Sequence, residues 1–157
     1  MIGSSSLVAG SGTGSTPPSR VTGLASQNDT EPVRRGRILI VEDDYLVALS
    51  NEMALTDAGY EVVGVADSGE AALAMATEAK PDLVLMDIRL AGEMDGIETA
   101  LALRERGIGS LFASANSDPG TIARGKATEP LGWLRKPFSD HALTGAVEQA
   151  LAGLLGE

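Results

Sequence analysis

A chain of 157 residues with 43% hydrophobic and 22% charged side chains is long enough for one packed soluble domain, and it carries no run of about 18 apolar residues that could span a bilayer. Twelve lysines and arginines against 22 aspartates and glutamates give a formal net charge of −10, the wrong sign for a domain that tracks nucleic-acid phosphates directly. The lack of cysteine excludes disulfide frameworks, zinc ribbons and thiol nucleophiles, and the single histidine, His141, excludes multi-histidine metal sites, so any chemistry must rest on oxygen ligands and lysine.

Residues 1–36 are dominated by Gly, Ser, Thr and Pro and cannot bury enough apolar surface to offset the entropy of ordering, so they read as a disordered tail. Leu7-Val8-Ala9 is far shorter than the apolar core of about 7–15 residues that a secretory signal needs, and a cytoplasmic location is the expectation. The tail's three arginines outnumber its two acids, so the acidity belongs to the remainder, residues 37–157.

From Arg37 onward, short β-rich runs alternate with Ala- and Leu-rich stretches, the pattern of βαβ units and a parallel sheet. Arg37 to Val41 is aliphatic without interruption, as expected of a central strand covered on both faces. A helix follows over residues 45–58, with Leu46, Leu49 and Met53 on one stripe and Gly59 as the stop. Tyr60 to Val65 is the second strand. Asp67 and Glu70 have the spacing of a capping box for a helix that runs to Ala79 and ends at Lys80-Pro81. Asp82 to Met86 is the third strand, residues 87–96 a loop, and Ile97 to Arg106 the third helix, closed by Gly107 and Gly109. Ser110 to Ser114 is strand four. Two glycines and two prolines between Asn116 and Pro130 predict a short, weakly held helix. Leu131 to Lys136 is strand five, and the last helix, about Ser139 to Leu155, has Leu143, Val147, Ala150, Leu151 and Leu154 on one face.

Ligands of open parallel sheets sit beyond the carboxyl ends of the strands. Here those ends carry Glu42-Asp43-Asp44, Asp87, Ser114 and Lys136-Pro137, which brings carboxylates, a hydroxyl and an ammonium to one rim. Clustered carboxylates repel one another unless a cation neutralises them, and hard oxygen ligands favour Mg²⁺, which commonly joins one or two carboxylates to a phosphate. Asp87 at a strand tip is then the candidate nucleophile for an aspartyl phosphate, with Lys136 and Ser114 on equatorial oxygens. Asp44 reads instead as a helix N-terminal charge, Asp95-Gly96 as a turn and helix start, and His141 as an exposed helix-start residue.

The motifs ILIVEDD, LVLMD, FASA and LRKPF, in this order and spacing, make the stretch from about Arg37 to Leu155 resemble a response-regulator receiver domain of two-component signalling. The resemblance implies a flavodoxin-like α/β fold of five parallel strands in the order 2-1-3-4-5, with helices on both faces. It implies that Asp87 accepts phosphate from a histidine kinase or phosphotransfer protein, that Asp43, Asp87 and the backbone carbonyl of Arg89 hold Mg²⁺, and that Glu42 acts mostly through water. It further implies switch roles for Ser114 and Trp133, an influence of the Arg89 and Asn116 side chains on phosphoryl lifetime, and a cis peptide at Lys136-Pro137. Homodimers through the fourth helix, fifth strand and last helix, and a stand-alone protein that signals by contact without an output domain, are further expectations.

This sequence departs from the usual pattern in having Ser114 for threonine, Trp133 for tyrosine or phenylalanine, and Leu90-Ala91-Gly92 where a proline is common. The alternatives are a phosphorylation-independent interaction module of the same fold, and a Mg²⁺-dependent phosphatase with an aspartyl-phosphate intermediate. The phosphatase is disfavoured by Arg89, because such enzymes usually have an aspartate two residues after the nucleophile.

Overall fold

The computed structural model describes residues 35–116 and 118–155. The tail predicted over residues 1–36 lies outside them except for its last two members. Arg35 and Gly36 are engaged with the domain. The Arg35 amide donates to the Gly59 carbonyl, its guanidinium donates to Ala58 O and stacks on the Tyr60 ring, and Gly36 O accepts from Glu61 N.

Five strands and five helices alternate: β1 Arg37–Val41, α1 Tyr45–Asp57, β2 Glu61–Ala66, α2 Gly69–Ala79, β3 Leu83–Met86, α3 Gly96–Arg104, β4 Gly109–Ser114, α4 Pro119–Lys126, β5 Gly132–Arg135 and α5 Asp140–Leu154. The strands pair in parallel in the order β2-β1-β3-β4-β5, so the fold is the expected flavodoxin-like one. The period of two along β1 explains its unbroken apolar run: Ile38 and Ile40 join the core under α1 and α5, whereas Leu39 and Val41 join the core under α2 and α3. Both layers are therefore written into one pentapeptide.

Two local expectations are corrected. The stripe Leu46, Leu49 and Met53 does not face the sheet; these residues are 73%, 38% and 58% exposed, and α1 buries Ala48, Asn51, Ala54 and Leu55 instead. Apolar residues surround this helix, so periodicity cannot select a face, and the small alanines permit the closer approach to β1. The cap of α2 is Ser68, whose hydroxyl accepts from Ala71 N, and not Asp67; Glu70 lies in the first turn, where the helix dipole favours it. The reciprocal capping box instead belongs to α3: Asp95 Oδ1 accepts from Glu98 N at 2.8 Å, and Glu98 Oε1 accepts from Asp95 N at 2.9 Å.

Helix α4 is short, as its glycines and prolines require, and its only buried residue is Gly125. In α5, Leu143, Val147 and Ala150 are buried as expected, whereas Leu154 is 43% exposed.

Candidate functional site

The β1, β3, β4 and β5 tips deliver the predicted residues to one rim. Parallel pairing continues past the strand ends, since Glu42 N donates to Ala66 O, Asp87 N to Val41 O and Lys136 N to Ser114 O. The peptide Lys136-Pro137 is cis, as expected. Glu42 and Asp87 are buried, at 4% and 8% exposure, and Lys136 reaches between them, its Nζ 2.6 Å from Glu42 Oε1 and 3.0 Å from Asp87 Oδ2. The other oxygen of Asp87 accepts from Ile88 N at 2.7 Å, and the other oxygen of Glu42 from Asp44 N at 3.2 Å.

Sequence reasoning aimed Lys136 at a bound phosphate and missed its seat on Glu42. The two are 94 positions apart, and only the pairing of strand tips brings them together. The Glu42 carboxyl is raised to about 7: burial is the main cause, the hydrogen bond from the Lys136 ammonium opposes it in part, and the nearby negative charge of Asp87 adds to the rise. Burial pulls the other way on Lys136, yet its bonds to the two carboxylates outweigh it and raise its affinity for the proton.

One carboxylate oxygen from each of Glu42, Asp43 and Asp87 can be chosen so that all lie within 4.8 Å of one another. Asp43 is exposed and makes no hydrogen bond or ion pair among the described residues. Three clustered carboxyl groups, two of them paired with a single ammonium, leave an excess of negative charge in an all-oxygen donor set, which fits a hard divalent cation. Asp44, as expected, spends its side chain on the α1 N-terminus, accepting from Leu46 N and Val47 N.

Beside this cluster is a cleft of about 490 Å³ lined by Asp87, Arg89, Ser114, Ala115, Asn116, Asp118 and Lys136. Ser114 is 1% exposed and its Oγ accepts from Asn116 N at 3.0 Å, leaving its proton available to a guest. The Arg89 side chain is exposed and makes no ion pair among the described residues. Trp133 is half-buried, its ring 5.0 Å from Phe112 and tilted by 50°.

A further determinant is Gly96. A Cβ there would stand 1.9 Å from the Asp87 carbonyl oxygen and 2.7 Å from Ile88 Cα, both backbone atoms. Sequence reasoning assigned Asp95-Gly96 to the turn, and the turn signal carried no hint of this approach to the acceptor strand. Gly96→Ala is expected to cost about 3 kcal/mol in denaturant unfolding, because backbone cannot yield as a side-chain end does. An unchanged midpoint would show that the loop has room.

Residues 38–148 match the response regulator receiver domain family. The chain belongs to that family. Receivers similar to it include the signal receiver domain of a modulated diguanylate cyclase from Desulfovibrio desulfuricans, 37% identical with a TM-score of 0.73 over 78% of this chain and 98% of that one. Chemotaxis protein CheY4 of Vibrio cholerae is 31% identical, with a TM-score of 0.66 over 73% of this chain and 97% of that one. Transcriptional regulatory protein PdtaR of Mycobacterium tuberculosis is 33% identical over 84% of this chain and 63% of its own length. The receiver chain thus spans less than two thirds of the curated relatives it matches first. A receiver is a signalling module rather than a classical enzyme, and its acidic pocket of Glu42, Asp43 and Asp87 is typical of a phosphoacceptor site. Among the described residues no helix is long and apolar enough to cross a membrane.

Proposed function

We propose that this receiver takes a phosphoryl group onto Asp87 from a histidine kinase or a phosphotransfer protein, with Mg²⁺, and signals by protein contact. The observation that carries the reading is the carboxylate of Asp87 at the tip of a central strand, bonded to Lys136 and flanked by two further carboxylates at the mouth of a cleft. An Asp87 oxygen attacks phosphorus, the bond from phosphorus to the donor breaks, and the donor leaves with that electron pair. The Lys136 ammonium and the Ser114 hydroxyl then serve as donors to phosphoryl oxygens. Bound Mg²⁺ would offset the charge that develops there, held by Asp43, Asp87 and the carbonyl of Arg89, with Glu42 acting through water. Arg89 and Asn116 line the same cleft and are assigned to the lifetime of the phosphoryl group, and Ser114 and Trp133 to its readout.

A protein donor is favoured by the apolar surface beside the cleft. Leu46 and Val47 of α1 and Phe138 border a groove of about 500 Å³ that also includes Lys136 and Pro137. Leu49 and Met53 continue the exposed apolar surface along α1. Such a donor is charged by ATP, so the reading includes a cytoplasmic location. The α4–β5–α5 face is assigned to a homodimer.

The deciding experiment is intact mass after incubation with acetyl phosphate or a phosphorylated donor protein, with and without Mg²⁺. An adduct of about 80 Da that requires Mg²⁺ is expected. Unmodified protein with both donors would overturn the reading.

The raised Glu42 carboxyl gives Mg²⁺ binding a defined pH dependence. Protonation near pH 7 removes a negative charge that favours the cation, so affinity falls as pH drops through 7 and levels off above it. Titration calorimetry is expected to find Mg²⁺ bound roughly tenfold more tightly at pH 8 than at pH 6. The linkage for folding has the opposite sign: the folded pKa lies above the unfolded one, so the Mg²⁺-free domain loses stability as pH rises from about 5 to 8. Equal affinity at both pH values would remove Glu42 from the site's charge balance.

A further inference from the structure

We infer that Gly125 is the seat of the Trp133 indole and that α4 is a latch over this ring: the indole changes place only when α4 moves, and α4 closes only because residue 125 has no side chain. A Cβ on Gly125 would stand 2.5 Å from Trp133 Cζ3 and 2.8 Å from Cη2, and 3.6 Å from Phe112 Cε2. The outer edge of the indole thus fills the volume that any other residue would need.

Conformational freedom does not account for the glycine. Its φ is not among the positive ones, and alanine is the better helix former at an ordinary helical φ. Gly120, in the same helix, has no comparable neighbour; its Cβ would meet only Asp118 Oδ2, at 3.4 Å. Close approach to the indole is what distinguishes position 125.

Among the described residues the latch has few other fastenings. Arg124 Nη2 lies 2.9 Å from Asp95 Oδ2, which ties α4 to the cap of α3, whereas Thr128 Oγ1 donates to Gly125 O at 2.7 Å within the C-terminal turn of α4 itself. Beneath the latch the indole rests on Phe112, two residues before Ser114 on β4 and therefore on the same face of the sheet. A shift of α4 is thereby felt at the wall of the cleft. This link to the cleft rests on the phosphoacceptor reading, whereas the seat does not.

Trp133 is the only tryptophan, so emission from the full chain reports the seat directly. Gly125→Ala is expected to red-shift the emission, make it easier to quench with acrylamide, and lower Tm by about 5 °C, although alanine favours helix. Gly120→Ala is expected to leave the emission unchanged and Tm unchanged or higher. In a Trp133→Phe background the smaller ring vacates the edge, so Gly125→Ala should no longer lower Tm; this coupling also decides the matter if Gly125→Ala alone unfolds. With Mg²⁺ and beryllofluoride, wild-type emission should shift, and that shift should be lost in Gly125→Ala while the thermal protection by beryllofluoride persists. If Gly125→Ala keeps wild-type emission and gains stability as Gly120→Ala does, or lowers Tm as much without the indole as with it, the seat is refuted. If the seat results hold but beryllofluoride changes neither emission nor Tm in the wild type, the phosphoacceptor reading and its link to α4 fail and the seat stands.

Discussion

Asp87→Asn is expected to abolish the adduct of about 80 Da left by acetyl phosphate, while the Mg²⁺-free domain melts no lower than the wild type. An amide oxygen is no nucleophile toward phosphorus, so the loss should be complete and not partial. The fold is expected to tolerate the change because the Asn oxygen can still accept from Ile88 N, and Lys136 keeps its shorter bond to Glu42. The negative charge of Asp87 is one of the causes that hold the Glu42 carboxyl high, so removing it lets Glu42 ionise more readily. A smaller rise in Tm on adding Mg²⁺ should accompany this, since one cation-binding charge is gone. Persistence of the adduct in the variant would move the acceptor to another carboxylate; a collapsed fold would show that the Asp87–Lys136 pair holds the rim together.

The parts of this molecule that were legible in the sequence are those governed by short-range pattern. The strands appear as runs of β-branched and aliphatic residues, and β1 shows that it is central because both of its faces are apolar. The rim residues could be identified because strand ends in a parallel sheet share one edge, so Glu42, Asp87, Ser114 and Lys136 converge whatever the register. What was hidden depends on approach distances. The choice of Ala48 and Ala54 over Leu46 and Met53 as the buried face of α1 follows from how closely the helix settles on β1, a property of packed volume and not of period. Gly96 and Gly125 look like a turn residue and a helix breaker, and their service as gaps for the Asp87 backbone and the Trp133 ring is visible only when the neighbours are in place. The Lys136–Glu42 contact was hidden for a related reason: composition supplies an ammonium and several acids, but not which acid lies closest.

Lys136→Met tests that contact, and its effect should depend on Mg²⁺. The substitution keeps an unbranched side chain of similar length and removes the charge, leaving Glu42 and Asp87 facing each other without the cation between them. Removing one partner of a buried pair leaves an uncompensated charge that usually costs about 3–5 kcal/mol, and with the Lys136 side chain one-fifth exposed the cost should fall somewhat below this, to about 2–3 kcal/mol without divalent cation. A fall in Tm of about 10 °C is the corresponding observable. Loss of the ammonium also removes an influence that lowers the Glu42 pKa, so that group should bind its proton to a higher pH than in the wild type. The deficit in stability should therefore widen from pH 6 to pH 8, where protonation no longer relieves the repulsion, and Mg²⁺ should recover much of it. The rate of labelling by acetyl phosphate is expected to fall about a hundredfold even at saturating Mg²⁺, because a donor aimed at the phosphoryl oxygens is gone while the nucleophile remains. The two readouts separate two roles: recovery of Tm by Mg²⁺ with slow labelling assigns Lys136 to the transferred group, whereas recovery of both would assign it only to holding the acids together before the cation binds.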